Sequence, residues 1–182
     1  MRIERDYRIA SAWGLAEATL FFFVPDVFLS WVALAKPKRA YIACGFALAG
    51  ALVGGAVMYA WSVADAESVR RALDAVPGIR PDMIAAVRGD LEDHGPVALF
   101  AGPPRGVPYK IYAAEWGGLG GGVAGFLLYS VPARGLRFLV VALIASVLRR
   151  RVLARQSLRA CRITHVAFWL VFYAWYFYVI RH

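Results

Sequence analysis

The stretch E-A-T-L-F-F-F-V-P-D, Glu17 to Asp26, decides how this chain folds. Seven of its ten residues are apolar, counting the proline, and three are consecutive phenylalanines. A carboxylate nevertheless stands at each end, and Pro25 sits beside the second. Proline lacks an amide hydrogen and clashes with the preceding turn, so it breaks or bends a helix. A carboxylate at the centre of a bilayer costs on the order of 2.5–3.5 kcal/mol on insertion scales, so such groups face the protein interior or water and usually pair. The segment reads as a break carrying two acids.

The rest of the chain sets the solvent. Of its 182 residues, 60% are hydrophobic, and the mean hydropathy is +0.55. Soluble domains are typically about 45–50% apolar even with Gly counted. We therefore expect an all-α integral membrane protein forming a single membrane domain. The net charge of +9 then points to cytoplasmic loops and anionic headgroups. No RNA-recognition, zinc-finger or helix-turn-helix pattern is present, so no nucleic-acid partner is expected.

The chain offers little for catalysis. His94, His165 and His182 are scattered, and Cys44 and Cys161 stand in unrelated contexts, so neither a metal site, a cofactor nor a disulfide framework is expected. There is no GxSxG, HExxH or P-loop spacing. The run G-G-L-G-G-G (Gly117 to Gly122) is not followed by Lys-Ser/Thr and reads as flexible packing. An enzyme is not expected. The basic N-terminus followed by an apolar run has the look of a signal peptide, but no small-residue cleavage pattern follows, and we read it as retained.

Five apolar blocks emerge. The first, residues 9–35, contains Glu17 and the Pro25-Asp26 break. The second, residues 40–64, carries no charge and exceeds the roughly 20 residues a bilayer span needs. Its Gly50 and Gly54 form a GxxxG that lets another helix approach closely. Residues 65–95 then hold seven of the twelve acids. Val69, Leu73 and Val76, and then Ile84, Val87 and Leu91, recur at helical spacing, which predicts two amphipathic surface helices. The third block, residues 96–132, is broken by G-P-P-R-G-V-P (Gly102 to Pro108) and weakened by its glycines. It contains Arg105, Lys110 and Glu115. The fourth, residues 138–148, lies between Arg137 and Arg149 and spans only if arginines snorkel and the bilayer thins. The fifth, residues 163–180, is aromatic throughout, like a last span with interfacial Trp and Tyr.

Basic residues orient these blocks. Residues 149–162 carry six arginines and no acid, and Lys36 to Arg39 and the N-terminus are also basic. All three belong inside, and the acidic stretch outside. The first block satisfies this only as a hairpin that enters and returns. The second block then crosses outward, the third enters and returns from outside, the fourth crosses inward and the fifth outward. The expected architecture is an inverted repeat of re-entrant helical hairpin plus transmembrane helix, with a C-terminal transmembrane helix. Its parts are residues 9–64, the surface helices 65–95, the second repeat 96–148, and the basic loop and final helix 149–182. Inverted repeats with broken helices place binding sites near the bilayer midplane in transporters. Arg134 and Arg137 fall at the outer end of the fourth block, against the positive-inside rule, and share a helix face three residues apart. A core with acids from one repeat and arginines from the other accounts for them. The competing readings are plainer: Glu17 hydrated at the interface, Asp26 as a helix N-cap, Arg134 and Arg137 as headgroup anchors, Arg105 and Lys110 as loop charges, and the phenylalanines as lipid contact or core.

In its order of motifs the sequence resembles the DedA/VTT superfamily, and within it the YqaA-like branch. The resemblance rests on E-A-T-L-F-F-F-V-P-D-V-F-L-S-W-V-A-L-A-K-P-K-R-A before a Gly-rich span, on G-V-P-Y-K-I-Y-A-A-E-W-G-G, and on S-V-P-A-R-G-L-R-F-L-V-V-A-L-I, together covering roughly residues 11–148. It implies Glu17 and Asp26 as essential acids of the first hairpin, and Lys110, Arg134 and Arg137, more loosely Arg105, as the basic positions of the second half. Two departures stand out: Val24 replaces a usual second proline, and Glu115 replaces a small residue, adding a third acid to the substrate site or signalling a different substrate. The implied activity is membrane lipid translocation, a flippase- or scramblase-like movement of phospholipid or polyprenyl phosphate, with protons as a coupling ion. The implied location is a bacterial inner membrane with several crossings. Phosphate headgroups would be the partners, and a homo-oligomer stays open. An Arg fork suits phosphate oxygens. The alternatives are a proton- or ion-coupled small-molecule transporter or membrane homeostasis factor, and a structural membrane subunit with residues 149–162 as its docking loop.

Overall fold

A computed structural model describes residues 2–181, with side chains from residue 5 to residue 179. The described residues form helices and no strands. Helix α1 (Arg2–Ala18) ends where Thr19 turns its hydroxyl onto the carbonyl of Ala16, at 2.8 Å. The chain is irregular to Pro25, after which α2 (Asp26–Ala35) starts afresh. Lys36 alone separates α2 from α3 (Pro37–Ala64). Pro37 sits at the first helical position, where a missing N–H costs nothing.

Helices α4 (Ala66–Asp74) and α5 (Pro81–His94) occupy the acidic stretch. Asp65 caps α4, accepting from the Ser68 amide at 3.0 Å. Val69, Leu73, Ile84, Val87 and Leu91 are buried, so the apolar stripes of both helices face the rest of the fold. A 3-10 segment (Gly95–Phe100) and the short α6 (Gly102–Arg105) lead to a left-handed turn at Gly106, φ +71°. Pro108 precedes α7 (Tyr109–Gly118); after the glycines come α8 (Val123–Arg151) and α9 (Leu158–Arg181).

The two halves follow one order. In each, a proline precedes a helix of 10 residues, and a short connection leads to a helix of 28 or 29 residues. The long helices run antiparallel: Cys44 Sγ donates to the carbonyl of Phe138, and the rings of Tyr59 and Phe126 stack. Helix α2 packs on α8, and α7 on α3, so each short helix lies against the long helix of the other half. Helix α1 runs parallel to α3, from the Tyr7–Phe46 stack to the approach of Ala18 to Gly54. The close contact made possible by Gly50 and Gly54 is with α1. A Cβ at Gly54 would lie 2.7 Å from the Leu15 carbonyl oxygen, and one at Gly50 would overlap that of Ser11.

Three expectations need correction. First, α8 is a single helix through Pro132, with no break there and no separate 11-residue block. Pro132 removes one intrahelical bond, while packing against α2 and α3 holds the helix on both sides of it. Second, Arg134 and Arg137 lie in the middle of α8, not at an outer end: Arg137 is the central residue of Val123–Arg151. Third, the basic stretch is mostly helical. Arg149, Arg150 and Arg151 close α8, and α9 already begins at Leu158. Among the described residues two helices, α3 and α8, are long and apolar enough to cross a membrane.

Candidate functional site

Arg134 and Arg137, one turn apart on α8, both reach to the Glu17–Asp26 stretch. Arg134 donates Nη1 to Glu17 Oε1 at 3.4 Å and Nη2, by a shorter bond, to Oε2. The Arg134 and Glu17 side chains are 3% and 4% exposed. The Arg134 guanidinium lies 4.6 Å from the Tyr109 ring centre and 5.0 Å from that of Phe138. Tyr109 is fixed in turn by a 2.9 Å bond from its hydroxyl to Ser130 Oγ, which donates to the Phe126 carbonyl. Two buried ions repay their desolvation only when geometry and further bonds are good. Here a fork on the carboxylate and two aromatic faces on the cation offset part of that cost, while Arg134 Nε stays buried with no partner among the described residues.

The second pair is less complete. Arg137 donates Nε at 3.0 Å and Nη2 at 2.5 Å, both to Asp26 Oδ2. Asp26 Oδ1 is buried with no partner among the described residues. The Arg137 side chain is 24% exposed, while that of Asp26 is 5% exposed. Lys110, at the start of α7, is the third buried cation, and its Nζ donates to the Phe21 carbonyl at 2.7 Å. The break at residues 19–25 strips backbone groups of helical partners, and the lysine supplies one.

These groups border a cavity of about 200 Å³, lined among others by Asp26, Lys110, Arg137, Phe22, Tyr173 and Tyr176. By this measure a single water needs only roughly 10–15 Å³, so the cavity admits a polar group larger than water. Glu17 also borders it, beside its pair with Arg134.

The sequence-predicted residues thus divide. Glu17, Asp26, Lys110, Arg134 and Arg137 come together. Burial of Glu17 rules out the reading of a hydrated interfacial acid. Asp26 makes no capping bond at the start of α2. Arg105 lies apart, on the exposed side of α6, bound to Asp90 at 2.6 Å. Glu115 is also elsewhere. It is buried, takes Arg70 through two bonds of 2.9 and 2.8 Å, and accepts from Arg88 at 3.3 Å. It fastens α4 and α5 to α7 and adds no third acid to the cavity. Arg162 stacks over Trp31 at 4.9 Å and, with Arg5 and Lys36, lines a separate pocket.

Sequence reasoning missed α9, which it took only as a last span. The Tyr173 hydroxyl accepts from the Val24 amide at 3.1 Å, and Trp169, Tyr173 and Tyr176 line the cavity wall. Their i, i+4, i+7 spacing was a visible signal of one helix face. His165 was read as isolated. Its Nε2 accepts from Trp169 Nε1 at 3.0 Å and lies 2.8 Å from Ser30 Oγ, tying α9 to α2.

Compared with known proteins, the chain matches no family model, no curated protein and no solved structure.

Proposed function

We propose that this protein is an integral membrane translocator of phosphate-bearing lipids, built as an inverted repeat of the kind its resemblance to the DedA/VTT superfamily implies. The observation that carries the reading is the distribution of charge. Glu17, Asp26, Lys110 and Arg134 are buried, whereas Ile42, Val53 and Val57 on α3, Leu128, Leu136 and Ile144 on α8, and Phe168, Leu170 and Val171 on α9 are exposed. A soluble monomer rarely exposes apolar patches beyond a few hundred Å². In a bilayer those faces contact lipid. At 1.5 Å per residue, α3 and α8 reach roughly 42 Å and exceed the hydrocarbon core of about 30 Å, while the ten-residue α2 and α7 reach only about 15 Å. Short limbs that end half-way suit two hairpins entering from opposite faces, with Lys36 and the closing arginines of α8, Arg149 to Arg151, inside.

Mid-depth then carries the working groups. Arg137 and Lys110 offer donors to a phosphate, and Asp26 is the group Arg137 leaves when it takes phosphate oxygens. The exchange keeps a partner on the guanidinium throughout, but it strips the buried Asp26 of its own, so Asp26 has to take up a proton as Arg137 leaves. Protonation of Asp26 during the exchange would give the coupling to protons. The test is purified protein in liposomes with a fluorescent phospholipid or a polyprenyl phosphate in one leaflet. Faster movement between leaflets, slowed by Arg137→Ala, supports the reading. Wild-type vesicles that behave like empty ones, with and without a pH gradient, defeat it and favour an ion-coupled small-molecule transporter.

A further inference from the structure

The cavity does not end at its charged groups. Trp169 and Tyr173 line it on one side and, on the other, line a wide groove of about 750 Å³ between α9 and the first broken segment. The groove wall on α9 is the stripe Val166, Trp169, Leu170, Tyr173, Ala174 and Phe177. Facing it are Trp13 from α1, Phe21 and Phe23 from the break, and Phe28 and Trp31 from α2. The stripe runs from His165 to Phe177, about 18 Å of helix at 1.5 Å per residue. The groove is bordered almost wholly by carbon, and its one titratable imidazole, His165, is already engaged with Ser30 and Trp169.

A charged cavity that shares its Trp169 and Tyr173 wall with a long apolar groove has the two-part chemistry of an anionic amphiphile. We propose that this groove holds the hydrocarbon chain of the molecule whose phosphate meets Lys110 and Arg137. The proposal rests on the translocation reading and adds the route of the chain. The chain lies along α9 against aromatic rings, and only the headgroup enters the cavity. Helix α9 is then a working wall of the site: Tyr173 holds the break through Val24 and separates head from chain. Bulk lipid touching α9 has no such neighbour, because its headgroup lies at the surface.

Three tryptophans, Trp13, Trp31 and Trp169, line the groove, so a chain there is detectable. The measurement uses full-length protein in detergent with Trp61, Trp116 and Trp175 changed to Phe. The probes are alkyl phosphates of increasing chain length brominated near the tail, the alcohol of the longest chain, and inorganic phosphate as competitor. The expected result is quenching by the long alkyl phosphate, with affinity rising by at least about tenfold from the shortest to the longest chain as more apolar area is buried. Ala174→Phe, at an exposed position that faces the groove, should flatten that rise and leave inorganic-phosphate competition unchanged. Val166→Phe does the same at the other end and serves if Ala174→Phe fails to fold. An affinity independent of chain length, or equal binding of the alcohol, overturns the groove while leaving the phosphate site standing. Failure of inorganic phosphate and of every alkyl phosphate to bind the wild type removes the translocation reading and the groove with it.

Discussion

Arg137 binds Asp26 through one oxygen only: both of its nitrogens, at 3.0 and 2.5 Å, meet Oδ2, and Oδ1 is left buried and unpartnered among the described residues. Its neighbour Arg134 grips both oxygens of Glu17. One turn of α8 therefore carries one pair that uses both carboxylate oxygens and one that uses a single oxygen, and each leaves one buried polar atom, Arg134 Nε and Asp26 Oδ1, without a partner among the described residues. Tyr109 and Phe138 cover the Arg134 guanidinium, whereas Arg137 itself borders the cavity together with Asp26 and Glu17.

The two arginines should fail differently on truncation. Arg134→Ala leaves Glu17 buried and unpaired, a loss of roughly 3–5 kcal/mol, and should lower the thermal unfolding midpoint and the yield of folded protein. Arg137→Ala removes a side chain that is 24% exposed, against 3% for Arg134, so it should cost less stability while lipid movement slows. Unfolding curves together with a leaflet-exchange assay on both variants check this. Equal stability for the two would remove the distinction.

Orientation follows from the antiparallel α3 and α8. In a background with Cys44 and Cys161 replaced, single cysteines in residues 65–95 should react with an impermeant thiol reagent from outside, and those in residues 152–157 only from inside. Labelling of both regions from one side would contradict the inverted repeat.

Glu115 should act on stability and not on transport. Glu115→Gln weakens the grip on Arg70 and Arg88, whose half-exposed side chains can turn to water, so the cost is about 1–3 kcal/mol. Detergent melting should register it. Slower lipid exchange in folded protein would place Glu115 back among the working groups.

The contact between α1 and α3 is set by glycine. A Cβ at Gly50 would strike the Ser11 backbone, which cannot move as a side-chain tip could. Gly50→Val should destabilise by at least the 1–3 kcal/mol typical of overpacking. Gly45, whose Cβ would meet nothing within 4 Å, is the matched control. Comparable melting of the two variants would refute a tight α1–α3 seam.

By itself the sequence determined the helical class, the break at Pro25 and the two acidic-stretch helices with their apolar stripes, and it singled out seven charged residues, of which five come together while Arg105 and Glu115 do not. These are local consequences of period, of proline chemistry and of the cost of burying charge in an apolar chain. It misplaced the start of α8, because Pro132 and two arginines look like a boundary when seen alone. The sequence suggested acids as their partners, but only the folded chain shows that the arginines meet them from the middle of one continuous helix. Glu115 carried no mark separating it from Glu17, since an ion pair is defined by partners 45 and 27 residues away, Arg70 and Arg88. The wall supplied by α9 was likewise decided by tertiary packing: an aromatic stripe at helical spacing suits lipid or protein equally, and only docking beside the Phe21–Val24 break makes it part of a site.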